Sequence, residues 1–167
     1  PKEKLKYIMG NPPFVGYTYQ SENQKEELQQ IFKGSGKKID YVACWYYKAA
    51  EFIQGTKIKT AFVSTNSITQ GEQVAPIWRT LFEKLHLNII FAWRSFCWDS
   101  EANSKAHVHC VIIGFCCYKD GKKRVIYCDG EANTAENINA YLIDAPSVFI
   151  ESRPKPLCNV SLMTKGS

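Results

Sequence analysis

Residues 5–14 read LKYIMGNPPF. An apolar run through Leu5, Tyr7, Ile8 and Met9 is halted by Gly10 and then by Asn11, Pro12 and Pro13. The pattern predicts a short buried strand with an abrupt end, because proline lacks an N–H and restricts the residue before it. Downstream, residues 22–33 carry Leu28, Ile31 and Phe32 at helical spacing in a charged segment, which predicts an amphipathic helix. A loop, GSGKK at 34–38, follows. Asp40 stands where an N-cap belongs, and residues 41–54 run through Val42, Trp45, Tyr46, Ala49, Ala50 and Ile53. That broad stripe predicts a well-buried helix ended by Gly55.

Residues 58–66, IKTAFVSTN, read as a second strand. Pro76 suits the first turn of a helix whose inner face is Ile77, Trp78, Leu81, Phe82 and Leu85. Residues 87–93 and 108–116 are two further apolar strands. KDGK at 119–122 has a hairpin-turn signature, with 124–128 as the returning strand. Beyond about residue 130 the pattern is irregular, with Pro146, Pro154 and Pro156. Alternating elements predict an α/β fold, a mostly parallel sheet covered by helices, with an antiparallel hairpin at one edge. In such sheets ligands sit beyond the carboxyl ends of the strands. The loops starting at Asn11, after residue 66 and after Trp93 lie at those ends.

The 167 residues are 45% apolar and 22% charged, which excludes disorder and fibrous repeats and fits one domain burying roughly 70% of its unfolded surface. No stretch is long and apolar enough to predict a membrane span, and no signal peptide is legible at the N-terminus. The first residue is Pro1, and the chain reads as a piece cut from a longer protein. Lysine and arginine number 21 against 16 acids, a net +5 that permits a polyanionic partner without demanding one. Seven cysteines without a CxxC pair predict a reducing, cytoplasmic setting in which thiols act as small core residues.

Asn11, Pro12, Pro13 and Phe14 at a strand's end carry the chemistry. Read plainly they are a strand-terminating turn. Read chemically, they are a cradle for an exocyclic amine. Such an amine is a poor nucleophile because its lone pair is delocalised into the ring. The Asn11 side-chain oxygen and the Pro12 carbonyl are two acceptors for its two N–H bonds, drawing the nitrogen toward a pyramidal geometry. Successive prolines remove competing donors. Phe14 offers a face on which a base stacks, a contact worth roughly 1–3 kcal/mol.

This strand-NPPF block resembles motif IV of the adenine-N6 DNA methyltransferases, [D/N/S]-P-P-[F/Y/W]. FVSTNSITQGEQ (62–73) resembles the segment after that family's fifth strand. FCWDSEANSKAHVHCVIIGF (96–115) resembles the loop and strand before target recognition. YLIDAPSVFIESRPKPLCNV (141–160) resembles the approach to the recognition region in large single-chain restriction–modification and phage-defence methylases. The resemblance covers most of the chain. It implies a partial Rossmann-like class I methyltransferase fold with the first half of the sheet missing. Residues 1–130 would be the second half of the catalytic domain and 131–167 the lead-in to target recognition. It implies that Asn11 and Pro12 hold the amine of an adenine flipped out of double-stranded DNA and that Phe14 stacks on it. The implied cofactor is S-adenosylmethionine, touched by Asn11.

The family's glycine-rich cofactor turn follows a strand. Here the only G-x-G, Gly34-Ser35-Gly36, follows an amphipathic helix and precedes Lys37 and Lys38, so it reads as a plain connector. The cofactor-binding half is expected upstream, the isolated chain is expected to be inactive, and the strand at 5–10 is expected to be an exposed edge prone to self-association.

Other candidates have two readings each. Phe96 or Trp98 packs on the far side of the base, or in the loop alone. Arg94 and Lys105 flank that loop and are placed to meet phosphates. Asp99 and Glu101 are an acid–base pair or solvated carboxylates. His107 and His109 alternate on a strand and, with Cys97 or Cys116, join a metal site or simply pack; no metal is expected. His86 reads as structural, a partner for a helix dipole. Lys119, Lys122, Lys123 and Arg124 are a phosphate patch or an ordinary charged turn. Ser64, Thr65, Asn66 and Ser67 line a pocket floor or cap a turn. Similar loops methylate guanine in ribosomal RNA or a glutamine amide, and a non-catalytic DNA-binding module is the remaining alternative.

Overall fold

The computed structural model describes residues 2–33, 38–98 and 108–150. Strand β1 (Tyr7–Gly10) is followed by helices α1 (Glu22–Phe32) and α2 (Val42–Phe52), strand β2 (Lys59–Thr65) and helix α3 (Val74–Arg79). Strands β3 (Asn88–Trp98), β4 (Val108–Cys116), β5 (Arg124–Cys128) and β6 (Glu131–Ala135) follow, and short 3-10 turns lie between the elements.

The sheet has six strands in the order β1-β2-β4-β3-β5-β6. It is mixed rather than mostly parallel. β1 runs parallel to β2 and β3 parallel to β5, while β2–β4, β3–β4 and β5–β6 are antiparallel. The antiparallel β3–β4 pair therefore sits in the middle of the sheet, with β4 inserted between β2 and β3. The expected edge hairpin is instead β5–β6. Its turn is Asp129-Gly130, both at positive φ (53° and 84°), the conformation that a two-residue hairpin requires. KDGK at 119–122 closes no hairpin. Asp120 accepts from the Arg124 guanidinium at 3.4 Å, folding a loop that carries the chain past β3 to its far side.

The predicted helices form where the apolar spacing places them. Ser21 and Gln24 cap α1 reciprocally, at 3.3 and 3.0 Å, and its Leu28 and Phe32 are buried. In α2, Val42, Ala43, Tyr46 and Ala50 are buried, whereas Trp45 lies outside the stripe and is 45% exposed. Asp40 does not cap α2: the N-cap is Tyr41, without a side-chain cap bond. After α3 the chain passes through a single π-helical turn, Thr80–Lys84. Ile77, Trp78 and Leu81 are fully buried there.

An aromatic cluster holds the helices to the sheet. The Tyr46 ring lies 5.4 Å from Phe62, 5.9 Å from Trp78 and 5.5 Å from Phe115. Its buried hydroxyl meets Ser64 Oγ at 3.0 Å, and Trp78 Nε1 donates to the Ile68 carbonyl at 2.7 Å, so the polar tips are satisfied. On β4, Gly114 faces the Phe91 ring, where an added Cβ would fall 2.0 Å from Cε1.

β1 is not buried as the apolar run suggested. It pairs with β2 along one edge, and Tyr7 and Met9 are 65% and 81% exposed. A strand with one partner covers only what its neighbour and one packed face reach; here that is Ile8.

Candidate active site

The carboxyl ends of β1 and β2 and the amino end of β4 meet at one side of the sheet, together with the late part of β3. The loop leaving β1 presents the Asn-Pro-Pro-Phe block. Asn11 is exposed, Pro12 is buried, Pro13 is exposed, and Phe14 is 37% exposed. The buried Pro12 anchors the turn, which leaves Asn11 exposed and Phe14 partly exposed. Among the described residues the Asn11 side chain makes no hydrogen bond. Residues 7–20 carry no charged side chain at all.

The loop is fixed just past Phe14. The Tyr41 amide donates to the Val15 carbonyl at 2.9 Å, and Gln20 Nε2 donates to the Ile39 carbonyl at 2.7 Å. The Tyr17 amide donates to Asp40 Oδ1 at 3.3 Å. Asp40 Oδ2 accepts from Ser67 Oγ at 2.5 Å, and Thr65 Oγ1 lies 2.8 Å from Ser67 Oγ. A carboxylate only accepts, so Ser67 donates to Asp40 and Thr65 donates to Ser67. Asn66 Nδ2 reaches Ser95 Oγ on β3 at 3.3 Å. The block at 64–67 thus ties the end of β2 to Asp40 and to Ser95 of β3, while Ser64 itself turns into the core toward Tyr46.

β3 changes register against β4 between Trp93 and Phe96, so Arg94 and Ser95 stand in an irregular step beside the site. Arg94 is exposed and Phe96 is half-buried. Trp98 ends the strand, opposite Val108. Cys97 lies opposite His109, and both are exposed. Asp99, Glu101, Lys105 and His107 lie outside the described residues. Among the described residues no group of three His, Cys, Asp or Glu comes together. His86 takes a positive φ of 50° in the turn before β3, and Lys119 and Arg124 face a cavity at the opposite end of the sheet from Asn11.

Sequence reasoning missed Asp40 as part of this edge. Its position before α2 gave an N-cap signal, and only the fold brings it against residues 17 and 67.

The model of the family described as MmeI, DNA-methyltransferase domain, matches residues 1–128. The chain belongs to this family. A curated relative, DNA methyltransferase A of Bacillus subtilis (strain 168), is 37% identical over 163 residues, 96% of this chain and 18% of the relative. A solved structure of the type IIL restriction–modification enzyme MmeI in complex with DNA superposes with a TM-score of 0.86 and 44% identity over 95% of this chain and 22% of that one. The chain therefore spans about a fifth of the length of these relatives.

Membership in the MmeI methyltransferase family implies S-adenosylmethionine as methyl donor. The loop at the β1 end is neutral and bears acceptors, a chemistry compatible with a cationic sulfonium and a neutral amine. Among the described residues no helix is long and apolar enough to cross a membrane.

Proposed function

We propose that this chain is the catalytic-loop segment of a DNA methyltransferase that modifies N6 of an adenine flipped out of double-stranded DNA. The observation that carries the reading is the exposed Asn11 beside the anchored Pro12, in a chain of this family. When bound, S-adenosylmethionine supplies a methyl group on a sulfonium. The Asn11 oxygen and the Pro12 carbonyl accept the two amine hydrogens, which localises the nitrogen lone pair and stabilises the positive charge that develops on it. Phe14 stacks on the extruded base and holds its plane in line for transfer. The proton leaves afterwards, so no strong base is required.

Arg94, Phe96, Trp98 and Lys105 are proposed for DNA contact: Phe96 or Trp98 against the base and the cations against the backbone. The domain is proposed to be the second half of a Rossmann-like class I fold, with residues 131–167 leading toward target recognition. β1's open edge is proposed to pair with a further strand of the whole protein, or with a second copy when the segment is isolated. The protein is proposed to act in the cytoplasm.

The test is Asn11→Ala in the full-length protein that carries this segment. Methyl incorporation into DNA is expected to fall at least ~100-fold, as on losing a preorganised charge-stabilising group, with DNA affinity retained. Unchanged methylation would leave Asn11 without a catalytic role.

A further inference from the structure

We infer that Asp40 is a positioning residue for methyl transfer: its carboxylate clasps the exit of the Asn-Pro-Pro-Phe loop to the turn after β2. The inference rests on the reading of Asn11 above.

Outside the ladder that joins β1 to β2, residues 11–14 make no hydrogen bond to any described residue, and two of the four are prolines without an N–H. Their position therefore depends on the burial of Pro12 and on what holds the two ends. One end is β1, with Gly10 in register with Phe62. The other is the clasp, in which Val15, Tyr17 and Gln20 are tied to residues 39–41. Within that clasp Asp40 reaches the turn after β2, through Ser67. The backbone amide of Asp40 is itself held by Gln73 Oε1 at 2.8 Å, which fixes the clasp to the turn before α3.

The residue type is informative. Asp40 is 8% exposed and has no ion-pair partner among the described residues. A buried carboxylate balanced only by neutral donors is costly, and neutral caps do the same structural work more cheaply. Its tolerance comes from the two donors and from the amino end of α2, which favours negative charge. Both carboxylate oxygens accept at once, so one side chain holds the Tyr17 amide and the Ser67 hydroxyl together and leaves the Ser67 oxygen to accept from Thr65. Releasing it frees the Phe14 side of the loop while leaving β1 and the core in place. A shift of about 1 Å at reacting groups costs on the order of 100-fold in rate.

The experiment uses the full-length protein, with Asp40→Ala, Asp40→Asn, Ser67→Ala and Asn11→Ala compared. Asp40→Ala is expected to lower kcat by ~10–100-fold with DNA affinity within about 3-fold of wild type. Asp40→Asn keeps one acceptor for the Tyr17 amide and is expected to recover part of that loss. Ser67→Ala deletes one hydroxyl without threatening the fold. It is expected to lower kcat several-fold, and to add nothing to Asp40→Ala. A 2-aminopurine at the target base reports the site directly: its emission on binding is expected to remain but to lose stacking quench in Asp40→Ala. A wild-type kcat in both Asp40→Ala and Ser67→Ala, while Asn11→Ala is inactive, overturns the inference and spares the proposed function. Full activity of Asn11→Ala overturns the proposed function itself. If Asp40→Ala does not fold, an unchanged kcat in Ser67→Ala overturns the inference and a reduced one supports it.

Discussion

Trp93 of β3 stacks on Tyr127 of β5, with ring centroids 5.0 Å apart and planes 14° from parallel. The two residues are partners in the parallel β3–β5 register. The stack lies just before the step in β3 that carries Arg94, so it steadies the strand where its ladder to β4 is interrupted. A double-mutant cycle of Trp93→Ala and Tyr127→Ala is expected to give a coupling energy of about 0.5–1.5 kcal/mol in urea unfolding. Additive losses would mean that the rings pack independently.

Phe14 combines partial exposure with a fixed backbone beside it. On the proposed function, Phe14→Ala loses base stacking and is expected to lower kcat/KM by ~10–100-fold, the equivalent of roughly 1–3 kcal/mol. Phe14→Trp keeps a ring face and is expected to stay within several-fold of wild type. Steady-state methylation of a duplex carrying the target site checks both.

Thr60 on β2 is 1% exposed, and its hydroxyl has no partner among the described residues. Thr60→Val removes that unsatisfied group without changing the β-branched shape. It is expected to raise stability by about 1 kcal/mol, read from the urea midpoint. A loss of stability would show that the hydroxyl is hydrogen-bonded in solution.

Burial pushes the Cys44 thiol up from 9.0 to about 12, and burial does the same to Cys117. The unfolded chain loses these protons near pH 9 while the fold retains them. Stability is therefore expected to be insensitive to these thiols below pH 9 and to fall as pH rises from 9 toward 12. Cys44→Ala is expected to flatten that decline. Urea midpoints between pH 8 and 11 test it, and the same burial predicts that exposed Cys97 reacts with a disulfide reagent well before Cys44.

The helices and most strands were legible because their apolar residues repeat at the period of the element. Leu28 and Phe32, or Ile77 and Leu81, lie on one face whatever the fold. Strand order was not legible, since β4 and β3 have the same composition whether they lie at an edge or in the centre. Two Asp-Gly pairs, 120–121 and 129–130, carry the same hairpin signal, and only the partner strand decides which one turns. The Asn-Pro-Pro-Phe block could be proposed from the sequence because its residues are contiguous. The role of Asp40 was not, because its partners lie at residues 17 and 67 and meet only in three dimensions.

Trp98 and Val108 face each other as the last pair of β3 and β4, so the intervening segment begins and finishes at one spot on the framework. Changing its length alters only a closure entropy, about 0.6 kcal/mol per doubling, and leaves the register of the sheet untouched. That makes it a modular port: segments of different length are exchanged there without rebuilding the scaffold beneath.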